Sequence, residues 1–203
     1  MIAIIDYGVG NIFSLRSSFA CIGADAVLTG DRKIIEKADK IILPGVGAFA
    51  DAAEKLKKSG LFDVLQENCA KGKPLMGICL GMQLLFEKSY EYGETEGLGL
   101  IKGNVKYIGD YIEKDLKVPH IGWNSLHFPN EKNEIFKYLN EGDHVYFVHS
   151  YHGTDCKNSV IATTEYGGEL TAAVADKNVY GMQFHPEKSG DTGLSILKAF
   201  FEL

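Results

Sequence analysis

The sequence predicts an α/β fold of three layers, in which helices flank a mostly parallel central sheet and antiparallel β-strands form a flank. Short apolar runs alternate with helical patterns through residues 1–90, and β-type patterns dominate residues 100–185. The early apolar runs lack the two-residue alternation of half-exposed strands, as expected for parallel strands covered on both faces. Strands and helices that alternate in this way build right-handed units of a parallel sheet.

The first 90 residues divide into predicted strands and helices of similar number. Asn11 can cap the first helix and Gly23 can stop it. The predicted strands are Ile2–Asp6, Ala26–Leu28, Lys40–Leu43 and Leu75–Ile78, and the predicted helices are Asn11–Ile22, Phe49–Ser59, Leu61–Lys71 and Leu80–Tyr90.

The second half carries β patterns separated by turn residues such as Gly167 and Gly168, which indicates antiparallel strands joined to the parallel core. One helix, Thr192–Phe201, follows them. The predicted strands are Lys102–Ile108, Ser125–Phe128, Val145–His149, Val160–Glu165, Thr171–Ala175 and Val179–Phe184.

Length and composition favour one globular domain over residues 1–203, with ordinary hydrophobic and charged fractions of 45% and 24%. The net charge of −6 argues against nucleic acid or an anionic membrane as the main partner. No apolar run approaches the roughly 18 residues of a membrane helix, and the strand-like start lacks the features of a leader peptide. The expected location is the cytoplasm.

The four cysteines, Cys21, Cys69, Cys79 and Cys156, are expected to be free thiols. None belongs to a Cys-x-x-Cys pair, so the sequence predicts neither a metal site nor a cofactor. Only Cys79 has a local reason to be reactive.

Residues 77–81, Gly-Ile-Cys-Leu-Gly, join a predicted strand to a predicted helix. A nucleophile between two glycines at this position is the cysteine version of the nucleophile elbow. The glycines permit a strained turn, which is expected to lift the sulfur of Cys79 above the sheet and point it at solvent. The start of a helix also favours the thiolate, so the segment predicts covalent catalysis.

A thiol nucleophile needs a base, and the base needs a group that orients it. Of the six histidines, His185 stands out because it ends a predicted strand, as Cys79 does, and strand ends hold the sites of open α/β sheets. Glu187 lies two residues on, where an extended chain points it the same way, and Pro186 stiffens the link. Glu187 would hold the imidazole tautomer and stabilise the imidazolium.

Acyl transfer also needs donors for an oxyanion. Pro44 is followed by Gly45, Val46 and Gly47 directly after a predicted strand, where exposed backbone N–H groups would face the nucleophile. The N–H of Leu80, the residue after the nucleophile, is the second expected donor.

Together, Gly-Ile-Cys-Leu-Gly-Met-Gln at residues 77–83 and Phe-His-Pro-Glu at residues 184–187 resemble the class I (triad) glutamine amidotransferase family across essentially the whole chain. The resemblance implies a Cys79–His185–Glu187 triad that releases ammonia from L-glutamine through a γ-glutamyl thioester. It also implies a flavodoxin-like fold.

Further motifs look like one branch of that family, the glutaminase subunits of imidazole glycerol phosphate synthase. The motifs are Asp-Tyr-Gly-Val-Gly-Asn at residues 6–11, Pro-Gly-Val-Gly at 44–47, His-Ile-Gly-Trp-Asn at 120–124, Val-His-Ser-Tyr at 148–151 and Glu-Lys-Ser at 187–189. This branch implies a separate (β/α)8-barrel cyclase as partner, which uses the ammonia in histidine biosynthesis and forms a heterodimer with the glutaminase.

By this resemblance, glutamine would be held by Gly47, Gln83 and the backbone of Ser150 and Tyr151, whereas Asn11, Trp123 and Lys188 would face the cyclase. Gln83 lies one helical turn from Cys79 and could reach the α-carboxylate or the amine of the substrate. An exposed Trp123 would be a good interface anchor, although a lone tryptophan is as often part of a core. Two positions depart from the family pattern: His152 stands where an aromatic residue is usual, and Gly190 where glutamine is usual.

Three other functions stay open at this point. The chain could be a glutaminase for another acceptor, such as chorismate or a purine nucleotide, or a cysteine peptidase-like or glyoxalase-like hydrolase. It could also be a binding subunit on a degenerate glutaminase fold, although Cys79, His185 and Glu187 are all present.

Overall fold

A computed structural model describes all 203 residues. Its strands are β1 (Ile2–Ile5), β2 (Ala26–Thr29), β3 (Lys40–Leu43), β4 (Leu75–Ile78), β5 (Phe86–Ser89), β6 (Thr95–Glu96), β7 (Ile101–Tyr107), β8 (His120–Ser125), β9 (His144–His149), β10 (Tyr151–Thr154), β11 (Val160–Glu165), β12 (Glu169–Asp176) and β13 (Val179–Met182). Its α-helices are α1 (Ile12–Cys21), α2 (Arg32–Lys37), α3 (Phe49–Lys58), α4 (Leu61–Ala70), α5 (Leu80–Gln83) and α6 (Gly190–Phe201).

The central sheet has seven strands in the order β11-β12-β13-β4-β3-β1-β2. The five strands from β13 to β2 are parallel, and β12 and β11 extend the sheet in antiparallel pairing. The predicted α/β fold with a mostly parallel sheet and an antiparallel flank is therefore confirmed. The sheet places β4 directly beside β13, so the two segments that follow these strands meet at one sheet edge.

Alternating side chains of the central strands divide the core into two layers. Ala3 and Ile5 face a cluster that includes α3, α4 and much of the β5–β7 region. Ile2 and Ile4 face the opposite cluster, which includes α1, α6 and β9. Both faces of the sheet are thus covered, which explains the continuous apolar runs of its parallel strands.

Two smaller sheets surround the edge where β4 and β13 end. One has the order β10-β7-β5-β6, and the other is the antiparallel pair β8–β9. Strand β9 leads into β10 through Ser150 alone, so the chain passes directly from one small sheet to the other.

The predicted helix Leu80–Tyr90 is wrong beyond its first turn. Helix α5 ends at Gln83, and the chain then forms β5. Leu84, Leu85 and Phe86 are fully buried, and Leu84 and Phe86 accept backbone hydrogen bonds from the segment before β7. A short apolar run of this kind fits a helix and a buried strand equally well, and the tertiary partner decides between them.

The predicted strand Ser125–Phe128 is also wrong, since the strand is β8, His120–Ser125. Only His127 of the following residues makes a β-bridge, to Thr163. Trp123 therefore lies in a strand, paired with Tyr146. The hydrophobic pattern did not reveal β8 because solvent-facing positions of this strand are apolar, including Ile121 and Trp123.

Helix α2 and strand β10 were not predicted. Helix α2 buries only Ile35 among charged neighbours, and the side chain of Asp31 caps it by accepting from the Lys33 N–H. At α1 the expected cap is not made, because the Asn11 side chain forms no capping hydrogen bond, whereas Gly23 does end the helix with a positive φ of 72°. No helix in the structure has the length and apolar character needed to cross a bilayer.

Candidate active site

Cys79 lies between β4 and α5 with φ 55° and ψ −112°, a strained conformation for a residue with a side chain. Both flanking glycines are needed for packing. A Cβ on Gly77 would lie 2.5 Å from the carbonyl oxygen of Gly81, and a Cβ on Gly81 would lie 1.8 Å from the carbonyl oxygen of Leu43. The elbow is thus pressed directly against the end of β3.

The prediction that the sulfur of Cys79 points at open solvent is wrong. Cys79 is 8% exposed, and it forms part of the wall of a cavity of about 520 Å³. The Nε2 of Gln183 donates to the sulfur at 3.9 Å, and the Val148 carbonyl lies at 3.9 Å on another side. The nucleophile is therefore reached only through a partly enclosed cavity.

The side chains of His185 and Glu187 meet, as predicted from their spacing in the sequence. The Nδ1 of His185 lies 2.8 Å from Oε1 of Glu187, and both side chains are almost completely buried. Burial by itself would lower the pKa of His185, but hydrogen bonds and charges of Cys79 and Glu187 outweigh burial and raise that pKa to about 9. His185 and Glu187 thus form a hydrogen-bonded pair, and Cys79 and His185 line the same cavity.

A buried serine, which was not predicted as a site residue, holds the loop that carries His185. The Oγ of Ser189 donates to the His185 carbonyl at 2.6 Å and accepts the Tyr146 N–H at 3.0 Å. The His185 N–H in turn donates to the Tyr146 carbonyl at 2.9 Å. Strand β9 therefore fixes the backbone of the base on both sides.

The segment Gly45–Gly47 lies where an oxyanion site was predicted. None of its three backbone N–H groups donates to a backbone carbonyl, and Val46 and Gly47 line the cavity. Gly45 itself is buried, and a Cβ there would lie 2.9 Å from the Cβ of Leu80. The unpaired N–H groups of Val46 and Gly47 are therefore the candidates for an oxyanion site at the cavity wall.

Tyr7 anchors this segment and was not predicted. Its hydroxyl donates to the Pro44 carbonyl at 2.7 Å and is buried. Burial raises the pKa of Tyr7 and the nearby Cys79 raises it further, so the phenol stays neutral and keeps its donor.

The remaining predicted substrate residues line the same cavity, among them Leu80, Gln83, Ser150 and Tyr151. The Nε2 of Gln83 donates to the Tyr151 carbonyl and to Gln183 Oε1, each at 3.1 Å. Both N–H groups of Gln83 are thereby used, so only its amide oxygen can bind a ligand. Because an amide oxygen accepts hydrogen bonds, it favours the ammonium group of a ligand over the carboxylate.

Glu91 was not predicted as a site residue, yet it lines the cavity. Its Oε2 accepts the Phe49 N–H at the start of α3 at 2.6 Å. It is the only carboxylate side chain lining this cavity, and a substrate ammonium group is the natural partner for it.

Of the three predicted interface residues, Lys188 alone lines the cavity. Trp123 is 55% exposed and contacts Tyr146 edge to face, with ring centroids 6.2 Å apart. The Lys188 ammonium lies 5.8 Å from the centre of the same Tyr146 ring and also lines the cavity. Asn11 lies at the start of α1 with its side chain free of a capping bond.

The two unusual residues lie outside the triad. His152 is buried and its Nδ1 accepts the Thr171 N–H at 3.3 Å, whereas Gly190 starts α6 with a φ of 56° that suits glycine. No group of three or more His, Cys, Asp or Glu side chains could hold a metal ion.

Comparison with known proteins gives a family match over nearly the whole chain. The model of the family described as glutamine amidotransferase class-I matches residues 3–203. Imidazole glycerol phosphate synthase subunit HisH of Sulfurimonas denitrificans is 51% identical over 98% of this chain and 97% of its own length. The HisH subunit of Caldanaerobacter subterraneus is 51% identical over 100% and 98%.

Solved structures share the fold at lower sequence identity. A crystal structure of a glutamine amidotransferase superposes with a TM-score of 0.75 at 18% identity, covering 98% of this chain and 99% of the other. The PurLQS structure from Thermotoga maritima gives a TM-score of 0.74 at 19% identity, covering 99% and 97%. At these identities the likeness concerns the fold alone.

Proposed function

Because the chain belongs to the class I glutamine amidotransferase family, we propose that it is the glutaminase subunit of an imidazole glycerol phosphate synthase. It hydrolyses L-glutamine to glutamate and ammonia and delivers the ammonia to a separate (β/α)8-barrel cyclase subunit. The observation that carries this proposal is that Cys79 and the hydrogen-bonded pair of His185 and Glu187 follow two adjacent strands, with Cys79 and His185 in the wall of one cavity. The family match removes the peptidase-like and glyoxalase-like alternatives.

The first step is attack on the side-chain amide of glutamine. The Cys79 thiolate adds to the amide carbon, and the oxygen becomes an oxyanion that the free N–H groups of the Gly45–Gly47 segment and Leu80 receive. His185, protonated by the proton of the thiol, donates it to the departing nitrogen. The C–N bond breaks, ammonia leaves, and a γ-glutamyl thioester remains.

The second step regenerates the enzyme. Neutral His185 takes a proton from water as that water attacks the thioester carbon. The C–S bond breaks, glutamate leaves, and the proton on His185 restores the starting pair with Cys79. Glu187 holds the His185 Nδ1–H throughout and stabilises the imidazolium in both steps.

The cavity orients the amino-acid end of glutamine. We assign the α-ammonium group to Glu91 and to the amide oxygen of Gln83, since these are acceptors along the wall. The backbone N–H groups of Ser150 and Tyr151 are assigned to the α-carboxylate. With the ends fixed in this way, the side-chain amide of the substrate reaches the sulfur of Cys79.

We place the acceptor site on another protein, because the curated relatives that match this chain are named as subunits of a synthase. We place the cyclase on the face that carries Asn11, Trp123 and Lys188, beside the mouth of the cavity. The heterodimer is expected to work in the cytoplasm, where the four free cysteines stay reduced.

The isolated subunit should have low activity. Gly45–Gly47 is a glycine-rich segment, and a peptide unit turned by half a rotation would aim a carbonyl at the oxyanion in place of an N–H. Docking of the cyclase beside Asn11 and Trp123 would bias the segment toward the productive orientation. An isolated subunit that already hydrolyses glutamine at the rate of the complex would contradict this coupling.

The test measures glutamate release by the subunit alone and with a cyclase subunit and its ribonucleotide ligand. Strong stimulation by the cyclase supports the proposal, whereas steady activity that ignores the cyclase indicates another acceptor enzyme. Cys79→Ala is expected to abolish glutamine-dependent synthesis and to leave synthesis from added ammonia intact, because only the ammonia source is lost. The matched control is Cys21→Ala, which removes an exposed thiol and should change neither reaction.

A further inference from the structure

Two buried histidines connect strand β8 with the wall of the glutamine cavity. His120 and His149 are 2% and 5% exposed. The Nδ1 of His120 lies 3.0 Å from the Nε2 of His149, and the Nδ1 of His149 lies 2.9 Å from the carbonyl oxygen of Tyr151. At the other end, Asn124 Nδ2 lies 3.3 Å from the Nε2 of His120.

The hydrogen-bond partners assign every proton in this chain of contacts. The Tyr151 carbonyl can only accept, so the Nδ1 of His149 carries its proton and the Nε2 of His149 must accept. The Nδ1 of His120 therefore donates, and the Nε2 of His120 accepts from Asn124. Burial lowers the pKa of His149 to about 3 and that of His120 to about 4, so both rings are neutral near pH 7.

The orientation of the Asn124 amide is fixed independently. Its Nδ2 also donates to the Glu165 carbonyl at 2.8 Å, and its Oδ1 accepts the Ser125 N–H at 2.8 Å. The hydrogen bonds consequently all point in one direction, from the donor Asn124 through the two imidazoles to the acceptor Tyr151. Each ring nitrogen has one role and no alternative partner.

The Tyr151 carbonyl is the point where this series of hydrogen bonds reaches the candidate active site. Its second donor is the Nε2 of Gln83, whose other N–H contacts Gln183, the donor to the Cys79 sulfur. Ser150 directs its carbonyl the other way, to the Ile108 N–H on the side of β7. Antiparallel pairing alternates from residue to residue, so both the N–H and the carbonyl of Tyr151 point away from β7.

We propose that His120 and His149 are positioning residues for glutamine. Their hydrogen-bond relay, from Asn124 through both imidazoles, fixes the orientation of the Tyr151 carbonyl. It thereby holds the backbone N–H groups of Ser150 and Tyr151 in place for the substrate. The proposal rests on the proposed glutaminase function. Neither imidazole is a proton carrier in the reaction. His149 supplies a fixed donor, and His120 fixes the tautomer of His149.

Two substitutions of His120 distinguish its role as a hydrogen-bond donor from its role as a stacked ring. His120 stacks on Phe147 and Tyr166, with centroids 4.8 and 4.2 Å apart. His120→Phe keeps a stacked ring and removes the donor, so His149 is left with an unpaired buried Nε2. His120→Asn places an amide N–H near the position of Nδ1 and should restore the bond to His149.

The experiment measures glutamine KM and kcat of the complex with the cyclase for both variants. Loss of one buried partner should raise KM roughly tenfold or more in His120→Phe. His120→Asn should recover most of that loss, and synthesis from added ammonia should match the wild type in both. Unchanged KM in a folded His120→Phe complex would overturn the relay and leave the glutaminase function standing, whereas a wild-type complex without glutamate release would overturn both.

A second measurement does not depend on activity or on how the variants fold. Nitrogen-15 NMR of the wild-type histidines reports which ring nitrogen carries the proton. The relay requires a protonated Nδ1 and a bare Nε2 at both His120 and His149, unchanged between pH 6 and pH 8. A proton on the Nε2 of His149, or titration of that ring near its ordinary pKa, would refute the assignment.

Discussion

At the scale of single residues, the charge of one imidazole decides the chemistry. His185 is buried, and burial of this kind favours the neutral ring, as it does at His149 and His152. His185 differs because Cys79 and Glu187 both favour its charged form, and their combined effect raises its pKa in spite of burial. The proton needed by the departing ammonia is therefore stored on the base at neutral pH.

Glu187→Gln should lower glutaminase turnover by about 10²–10⁴-fold, because the amide neither fixes the tautomer of His185 nor stabilises its charge. With the wild-type pKa of His185 at about 9, activity should decline as pH rises through 9 and His185 loses the proton that ammonia requires. In Glu187→Gln that decline should move to lower pH. A pH profile of glutamate release by the complex measures both effects.

Glu141→Gln is the matched control. Glu141 accepts from His127 at 2.8 Å in an exposed pair of the same chemistry, and exposed pairs of this kind contribute little to stability. The control should leave turnover and the pH profile unchanged. Wild-type turnover in Glu187→Gln would show that Glu187 does not orient the base.

At the scale of elements, the contact between α5 and β3 sets the geometry of the elbow. Gly81 has no room for a side chain because the Leu43 carbonyl occupies the position of its Cβ. Since the obstacle is backbone on a central strand, it cannot move as a flexible side chain would. Gly81 is thus required for close packing against β3 more than for the conformation of the turn.

Gly81→Ala should destabilise the fold by about 3 kcal/mol or more, at or above the usual range for overpacking, and should abolish glutaminase activity by displacing Cys79. Urea unfolding and glutamate release measure the two effects. Gly72→Ala is the control for conformation alone. Its φ is 86° and its Cβ would meet nothing within 4 Å, so its cost should be about 1 kcal/mol without loss of activity. Equal midpoints for the two variants would contradict the packing argument.

The parallel strands could be predicted nearly to the residue, because β3 and β4 are apolar runs bounded by charged residues, proline and glycine. The segment after Gln83 could not be predicted, since its apolar residues suit two structures and long-range contacts choose the strand. Strand β10 was missed for a related reason: its residues His152 and Gly153 have weak strand preference, and pairing with β7 and packing of Phe86 against Gly153 hold it.

The candidate site divides in the same way. Side chains next to strand ends, Cys79 and His185, could be found from their positions in the sequence. Glu91 and Tyr7 could not, because what they do depends on contacts with Phe49 and Pro44, about 40 residues away along the chain. A carboxylate in a hairpin and a tyrosine after a strand carry no local sign of these partners.

At the scale of the whole molecule, three buried neutral histidines make the fold sensitive to acid. The pKa is lowered to about 4 at His120, about 3 at His149 and about 4 at His152, mainly by burial. Between pH 6.5 and about 4 the unfolded chain binds protons that the folded chain does not, so stability should fall as pH falls. His185 acts oppositely: its contribution is complete below pH 6.5 and is lost as pH rises through about 9.

The urea midpoint should therefore be lower at pH 5 than at pH 7. His152→Phe removes one of the three groups, so its midpoint should change less over the same interval, whatever its stability at pH 7. Identical midpoints at the two pH values would show that the buried histidines do not control acid stability.

The exposed tryptophan belongs to the surface of the molecule and not to its core. Trp123→Ala should weaken binding of the cyclase about 10- to 30-fold, as expected for an aromatic anchor, with little change in melting temperature. Tyr138→Ala is the control: Tyr138 is similarly exposed, at 47%, and contacts Glu202 at the end of α6. Titration calorimetry with the cyclase compares them, and equal losses for both variants would exclude a specific anchor.

The pairing of β4 with β13 has a consequence for the time at which the enzyme becomes active in the cell. The ribosome releases Cys79 about 100 residues before His185, which at about 5–20 residues per second amounts to roughly 5–20 s. During that interval β4 lacks its neighbour and the cysteine lacks its base. A nascent chain therefore cannot consume glutamine before β13 has joined the sheet beside β4.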